Sequence, residues 1–283
     1  MKLCRFNDDR LGVVLGDELA DVTSVLDELP AVRYPLPRHD PLIAHLATLR
    51  PRLEAAVANA PRVPLAGVRL LSPVANPGKL VAAPVNYVKH LQEVLGDANL
   101  HHNNQISEIQ RAGLFLKATS SLVGASEGVP IIHPDRRTDH EVELAVVIGR
   151  TAKNVAAADA LSYVAGYTIG LDITIRGPEE RSMRKSPDGY SVLGPWLVTA
   201  DELADTGALA LELSVNGQSR QRSNTAELII DVAGLIEFAT RFYTLHPGDV
   251  IYTGTPEGVG PVKPGDTIVA RIEGIGELRV AAR

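Results

Sequence analysis

Through most of this chain apolar and polar residues alternate over short runs, and a period of two predicts strands. From residue 79 onward KLVAAPVNY, GLFLKA, GVPIIH, EVELAVVIG, YVAGYTIGLDIT, GPWLVT, LALELSVNG, DVIYTG, DTIVARIEG and GELRVAA all read this way. Three stretches change to a helical period, around residues 87–95, 156–162 and 231–244. Asn216-Gly217 predicts a hairpin turn, because both positions tolerate positive φ. Ahead of residue 72, KLCRF and LGVVLG flank a turn at Asn7-Asp8-Asp9, and ELADV follows. PLIAHLATL and PRLEAAVANA each open with Pro and predict two short helices. The Pro-punctuated stretch from Ala60 to Leu80 sets a boundary near residue 72. The expected fold is therefore mixed α/β and mainly β. A small N-terminal α+β domain (1–72), read as a packing or dimerisation appendage, precedes a rolled or barrel-like β core (73–283). Gly96 to Arg111 is polar and weakly periodic, and residues 87–111 are expected to act as a lid.

Composition narrows the function. The 283 residues are 45% apolar and 22% charged, with 28 basic against 34 acidic side chains and a net charge of −6. An acidic total without a Lys/Arg run argues against nucleic acid or an anionic membrane as partner. No apolar run reaches the length of a membrane span. The opening MKLCRFNDDR is charged where a signal peptide needs apolar residues, so a cytoplasmic location is expected. Cys4 is the only cysteine, which excludes an internal disulfide and a multi-thiolate zinc site.

The candidate chemistry starts in EVELAVVIG. Residues two apart on a strand share a face, so Glu141 and Glu143 point with Ala145 and Val147, while Val142, Leu144, Val146 and Ile148 form an apolar opposite face. Two adjacent carboxylates on so apolar a strand call for a positive charge between them, unless the pair is a solvated strand edge. Asp172, at the end of YVAGYTIGLDIT, either caps a turn or supplies a third ligand. Three carboxylates suit a hard cation: Mg²⁺, Mn²⁺ or Ca²⁺. In VNYVKHLQEV, His90 and Glu93 lie three apart and meet on one helical face. A carboxylate that orients an imidazole makes it a base for water; the alternative is an exposed helical pair. Lys185 sits in a charged loop and is either solvated or placed to stabilise an enolate. The Gly-rich turn around Thr255 leaves backbone N–H groups for an anion, or is a plain tight turn. His133 and His140 have flanks suited to surface turns and receive no role.

Together these pieces resemble the fumarylacetoacetate hydrolase family over about residues 79–283. An N-Y-x-x-H-x-x-E pattern appears as Asn86, Tyr87, His90 and Glu93, and an F-L-K stretch as Phe115, Leu116 and Lys117. An E-x-E-L pattern matches Glu141, Glu143 and Leu144, and the next strand ends on Asp172. K-S-x-D and L-G-P match Lys185, Ser186, Asp188, Leu193, Gly194 and Pro195. The hairpin at Asn216-Gly217 and the T-G-T-P-x-G-V-G loop are similar as well. Departures are Gly177 and Glu179 for Asp and Gln, Ala118 for Pro, and a missing Trp in the region of Arg181 and Met183. They bear on the substrate more than on the metal site.

The resemblance implies a β-roll, a homodimer, and Mg²⁺ or Mn²⁺ held by the three acids, with a small 2-oxo acid chelating that cation. His90 and Glu93 would activate water, Lys185 would stabilise the enolate, and Tyr87, Lys117, Arg176, Glu179 and Thr255 would contact substrate. The expected activity is hydrolysis of a C–C bond in an acylpyruvate-like β-diketo acid through a metal-bound enolate. The alternatives are an isomerase or decarboxylase of 2-oxo or 2-hydroxydienoic acids in aromatic catabolism, and a non-catalytic metal-binding protein.

Overall fold

The computed structural model describes every residue except 98–99 and 101–108. Much of the expected lid therefore lies outside the described residues. The strand Val164–Asp172 runs antiparallel between Val142–Ile148 and Ser191–Thr199. Beyond Val142–Ile148 the sheet continues through Val250–Tyr252 and Leu80–Ala82 to an edge at Phe115–Lys117. In the other direction Ser191–Thr199 pairs with Lys2–Phe6, and the N-terminal strands carry the sheet on to Arg62–Pro64. A four-stranded sheet of Ala210–Val215, Gln218–Asn224, Thr267–Ile272 and Gly276–Ala281 packs against this long sheet. Thr174–Ile175, Thr138–His140 and Gly260–Pro261 form a third, small sheet. The mainly β, mixed α/β expectation matches this architecture.

Val142–Ile148 is buried on both faces. Val142, Leu144, Val146 and Ile148 join the core shared with the four-stranded sheet, whereas Ala145 and Val147 join the core under the N-terminal segment. The strand starts one residue later than EVELAVVIG suggests. Thr138–His140 pairs with Thr174–Ile175 in one sheet and Val142–Ile148 pairs with Val164–Asp172 in another, so the chain changes sheets at Glu141. The Glu141 carbonyl still accepts from the Asp172 N–H at 2.9 Å, which keeps the two acids side by side.

Several local expectations change for identifiable reasons. PLIAHLATL and PRLEAAVANA form one helix, Pro41–Asn59, that continues through Pro51. Asp40 caps it by accepting from Ile43 N at 3.0 Å, and Ile43, Leu46, Leu49 and Leu53 are buried along one stripe. Burial of that stripe outweighs the hydrogen bond lost at Pro51. KLVAAPVNY yields only Leu80–Ala82, because Pro84 cannot donate to a ladder. GVPIIH contributes a single bridge at Val129 and no strand. Helices form at Val88–Gly96 and Val232–Phe242, and a short one at Ala157–Ala160. The hairpin turn forms with φ of 52° at Asn216 and 78° at Gly217. Among the described residues no helix is long and apolar enough to cross a membrane.

Candidate active site

At the end of the central strand pair, Glu141, Glu143 and Asp172 converge. One carboxylate oxygen from each lies within 4.8 Å of the other two, and all three side chains are buried. Register explains the convergence: Glu143 stands opposite Gly170, and Glu141 lies beside Asp172. The absence of a side chain at Gly170 leaves that side of the strand pair to the Tyr252 ring. Burial, and next the neighbouring Asp172 charge, push the Glu143 carboxyl well above its ordinary range. Burial also works against ionising Glu141, but Lys185, Arg176 and His90 outweigh it and bring that carboxyl down to about 2. Three oxygen donors of this kind, crowded and short of positive charge at Glu143, fit a hard divalent cation such as Mg²⁺ or Mn²⁺.

Cations surround the acids. Lys185 Nζ donates to Glu141 Oε2 and Asp172 Oδ2, each at 2.7 Å, and to Thr174 Oγ1 at 2.6 Å. Lys185 closes a one-turn helix, Arg181–Lys185, where the sequence suggested a loop. Lys117 Nζ donates to Asp172 Oδ1 and to the Tyr190 carbonyl at 2.8 Å. Burial lowers the Lys117 ammonium below its ordinary value, against the pull of Asp172. Arg176 bridges Asp139 Oδ2 at 2.7 Å and Glu141 Oε1 at 2.9 Å. It thereby locks the residue at which the chain changes sheets.

The helix Val88–Gly96 brings His90 and Glu93 to the same place. His90 Nδ1 meets Glu93 Oε2 at 2.8 Å, and His90 is buried. Glu93 Oε1 accepts from Gly258 N at 3.0 Å, while Glu143 Oε2 accepts from Gly254 N at 2.6 Å. One glycine-rich loop thus holds an acid of the cluster and the partner of the histidine. Asn86 fastens the base of the helix, its amide donating to the carbonyls of Ile230 at 2.9 Å and Thr253 at 2.8 Å.

Most of the expected substrate contacts gather here. The Tyr87 hydroxyl is buried without a hydrogen-bond partner among the described residues, which leaves it available to a ligand. Thr255 is buried, and its hydroxyl accepts from Gln221 Nε2 at 2.8 Å. Glu179 is placed differently. It is half-exposed and pairs with Arg136 at 2.7 Å, and a side chain at Gly177 would collide with that pair. Gly177 therefore leaves the room that the Glu179–Arg136 pair occupies.

Sequence reasoning missed a layer behind the acids. His140 is fully buried, contrary to the surface turn expected of it, and its Nδ1 lies 3.2 Å from Gln221 Oε1. That same oxygen accepts from Val142 N at 3.0 Å, between the two glutamates. Burial lowers the His140 imidazole below its ordinary value. Asp139, which anchors Arg176, also escaped notice. The recognisable signal was Gln221 within the hairpin motif; Asp139 and His140 look like turn residues until the three-stranded sheet covers them.

The fumarylacetoacetate (FAA) hydrolase C-terminal domain pattern matches residues 79–282. The chain is 61% identical to maleylpyruvate hydrolase of Aquipseudomonas alcaligenes, across 100% of this chain and 99% of the relative. It is similar to the crystal structure of maleylpyruvate hydrolase from Sphingobium sp. SYK-6 in complex with manganese(II) ion and pyruvate. That match has a TM-score of 0.84 and 42% identity, covering 100% of this chain and 98% of the other. It also matches 5-carboxymethyl-2-hydroxymuconate delta-isomerase from Mycobacterium smegmatis, with a TM-score of 0.72 and 32% identity, over 100% and 99% of the two chains.

Proposed function

The chain belongs to the fumarylacetoacetate hydrolase family, and from that premise we propose that it is a divalent-metal-dependent hydrolase cleaving a C–C bond in a small acylpyruvate, with maleylpyruvate the first substrate to test. The observation that carries this reading is the convergence of three buried carboxylates, Glu141, Glu143 and Asp172, with a paired His90–Glu93 beside them. The donor set fits Mg²⁺ or Mn²⁺, and the cation supplies a Lewis acid toward the 2-oxo acid end of the substrate.

The protein's own groups do the rest. With His90 Nδ1–H donated to Glu93, Nε2 takes the proton from a water, and the hydroxyl adds to the distal carbonyl carbon. The bond between that carbon and the methylene breaks, and its electron pair passes into the pyruvate enolate. Lys185 faces this developing charge, and a proton then returns to the methylene carbon to give pyruvate and a carboxylic acid. Lys117 and Arg176 orient Asp172 and Glu141, and the Tyr87 and Thr255 hydroxyls contact the substrate.

The test is release of pyruvate from an acylpyruvate. Release should require Mn²⁺ or Mg²⁺, stop on chelation and return when metal is restored. No pyruvate under any metal overturns the reading. The structural likeness to the delta-isomerase favours one rival, a double-bond isomerase of a 2-hydroxydienoic acid; a shifted diene without pyruvate would select it. Family resemblance further supports a cytoplasmic homodimer, which sedimentation velocity checks for its oligomeric part. A family match that starts at residue 79 also supports a small N-terminal domain ending near residue 72.

A further inference from the structure

Among the described residues, most cations near the acid cluster are paired. Lys117 and Lys185 pair with carboxylates, Arg176 spans Asp139 and Glu141, and Arg184 Nε donates to the Glu179 carbonyl at 2.8 Å. Arg181 forms no hydrogen bond or ion pair among the described residues. Its guanidinium carbon lies 5.5 Å from the centre of the Phe115 ring, and the Lys185 ammonium lies 5.6 Å from the centre of the same ring. The two residues are four apart on the one-turn helix Arg181–Lys185, so they share a face about 6 Å apart along the axis. Burial lowers the Arg181 guanidinium below its ordinary value, while the charges of Glu180, Asp172 and Glu141 reach it and raise it. A guanidinium shielded by an aromatic ring, its planar fork without a partner among the described residues, is suited to a bidentate carboxylate.

We propose that Arg181 binds a second carboxylate on the substrate, one helical turn from the 2-oxo acid end, and so selects dicarboxylic over monocarboxylic 2-oxo acids. Lys185 marks the end where the enolate forms, and Arg181 marks how far the substrate extends from it. The inference rests on the hydrolase reading for its substrate, but its test does not.

Binding is measured by calorimetry with Mn²⁺ present, using 2-oxoadipate and 2-oxohexanoate, which differ in carrying a carboxylate or a methyl at the far end. Wild type should bind 2-oxoadipate about 10–100-fold more tightly, the effect of one charge-assisted pair. Arg181→Met should abolish that preference without weakening 2-oxohexanoate, and Arg181→Lys should keep part of it. Unchanged 2-oxohexanoate binding also reports that the variant is folded. Turnover of succinylpyruvate and butyrylpyruvate adds a second readout: Arg181→Met should raise KM for the first alone and leave kcat in place. If wild type cleaves neither, the hydrolase reading falls while the binding comparison still decides Arg181. No preference in wild type, a preference surviving in Arg181→Met, or equal weakening of both ligands would overturn the proposal.

Discussion

Two parts of the long sheet bury opposite kinds of side chain. At the N-terminal end Cys4, Phe6, Val14 and Leu19 pack together, and the neighbouring helix adds Ile43, Leu46, Leu49 and Leu53. Where its two central strands end, the sheet buries Glu141, Glu143 and Asp172, with Lys117 and Lys185 beside them. Apolar burial contributes stability in proportion to area, at about 25 cal/mol per Å². Buried ion pairs contribute little net stability, yet removing one partner costs about 3–5 kcal/mol because the other charge is left alone. A single sheet thus joins a dry part that supplies stability to a charged part that draws on it. Strands crossing the middle, such as Val142–Ile148, take part in both.

That contrast can be broken or sharpened by substitution. The largest effect is expected at the dyad. His90→Ala or Glu93→Gln should slow cleavage by about 10²–10⁴-fold, while deuterium still enters the methylene of an acylpyruvate and metal binding is retained. If both variants cleave as fast as wild type, water activation does not reside there. Next comes Lys185→Met, expected to lower turnover by about 10²–10³-fold. It should also destabilise the protein, because Glu141 and Asp172 lose a shared ammonium. Added Mg²⁺ should restore the melting temperature but not turnover; recovery of both would mean that the lysine only balances charge.

In the dry part the signs reverse. Leu53→Ala should cost about 2–5 kcal/mol in urea unfolding and leave kcat per folded molecule unchanged. A fall in kcat would show that the two parts are coupled.

Cys4 offers the smallest and most local effect. Burial pushes its thiol up to about 12. An unfolded thiol ionises at lower pH, so the folded state keeps a proton that the unfolded state has lost. Stability from this residue therefore falls as pH rises from about 9 toward 12, by about 1.4 kcal/mol per pH unit. Urea midpoints at pH 8 and pH 10 should diverge in wild type and converge in Cys4→Ala. Equal slopes in both would place the pH dependence elsewhere.

The charged part was more legible in sequence than its supports. Glu141 and Glu143 announce themselves because a period of two is local, and Asp172 because it closes an apolar run. His90 and Glu93 follow from helical spacing. Gln221 reaches His140 and Val142 across 81 and 79 residues, and Asp139 reaches Arg176 across 37; no periodicity records such distances. The break at Glu141 was hidden for the same reason: alternation continues through it, and only pairing with two different sheets interrupts the strand. Pro51 misled in the other direction, since local propensity ends a helix that tertiary burial sustains.

The loop carrying Gly254 and Gly258 acts as a ruler. Both residues have positive φ, 100° and 92°, and a Cβ on either would strike neighbouring residues, Asn86 in one case and the Arg220 carbonyl in the other. Their N–H groups grip Glu143 and Glu93, so four residues of backbone fix how far the cation-binding acids stand from the base. A ruler is indifferent to what is written between its marks but not to its length. Grafts that rewrite residues 256 and 257 while keeping Thr255 and the interval should leave the two halves of the site in step. Inserting or deleting a single residue there would slide one grip out of reach of its carboxylate and separate them.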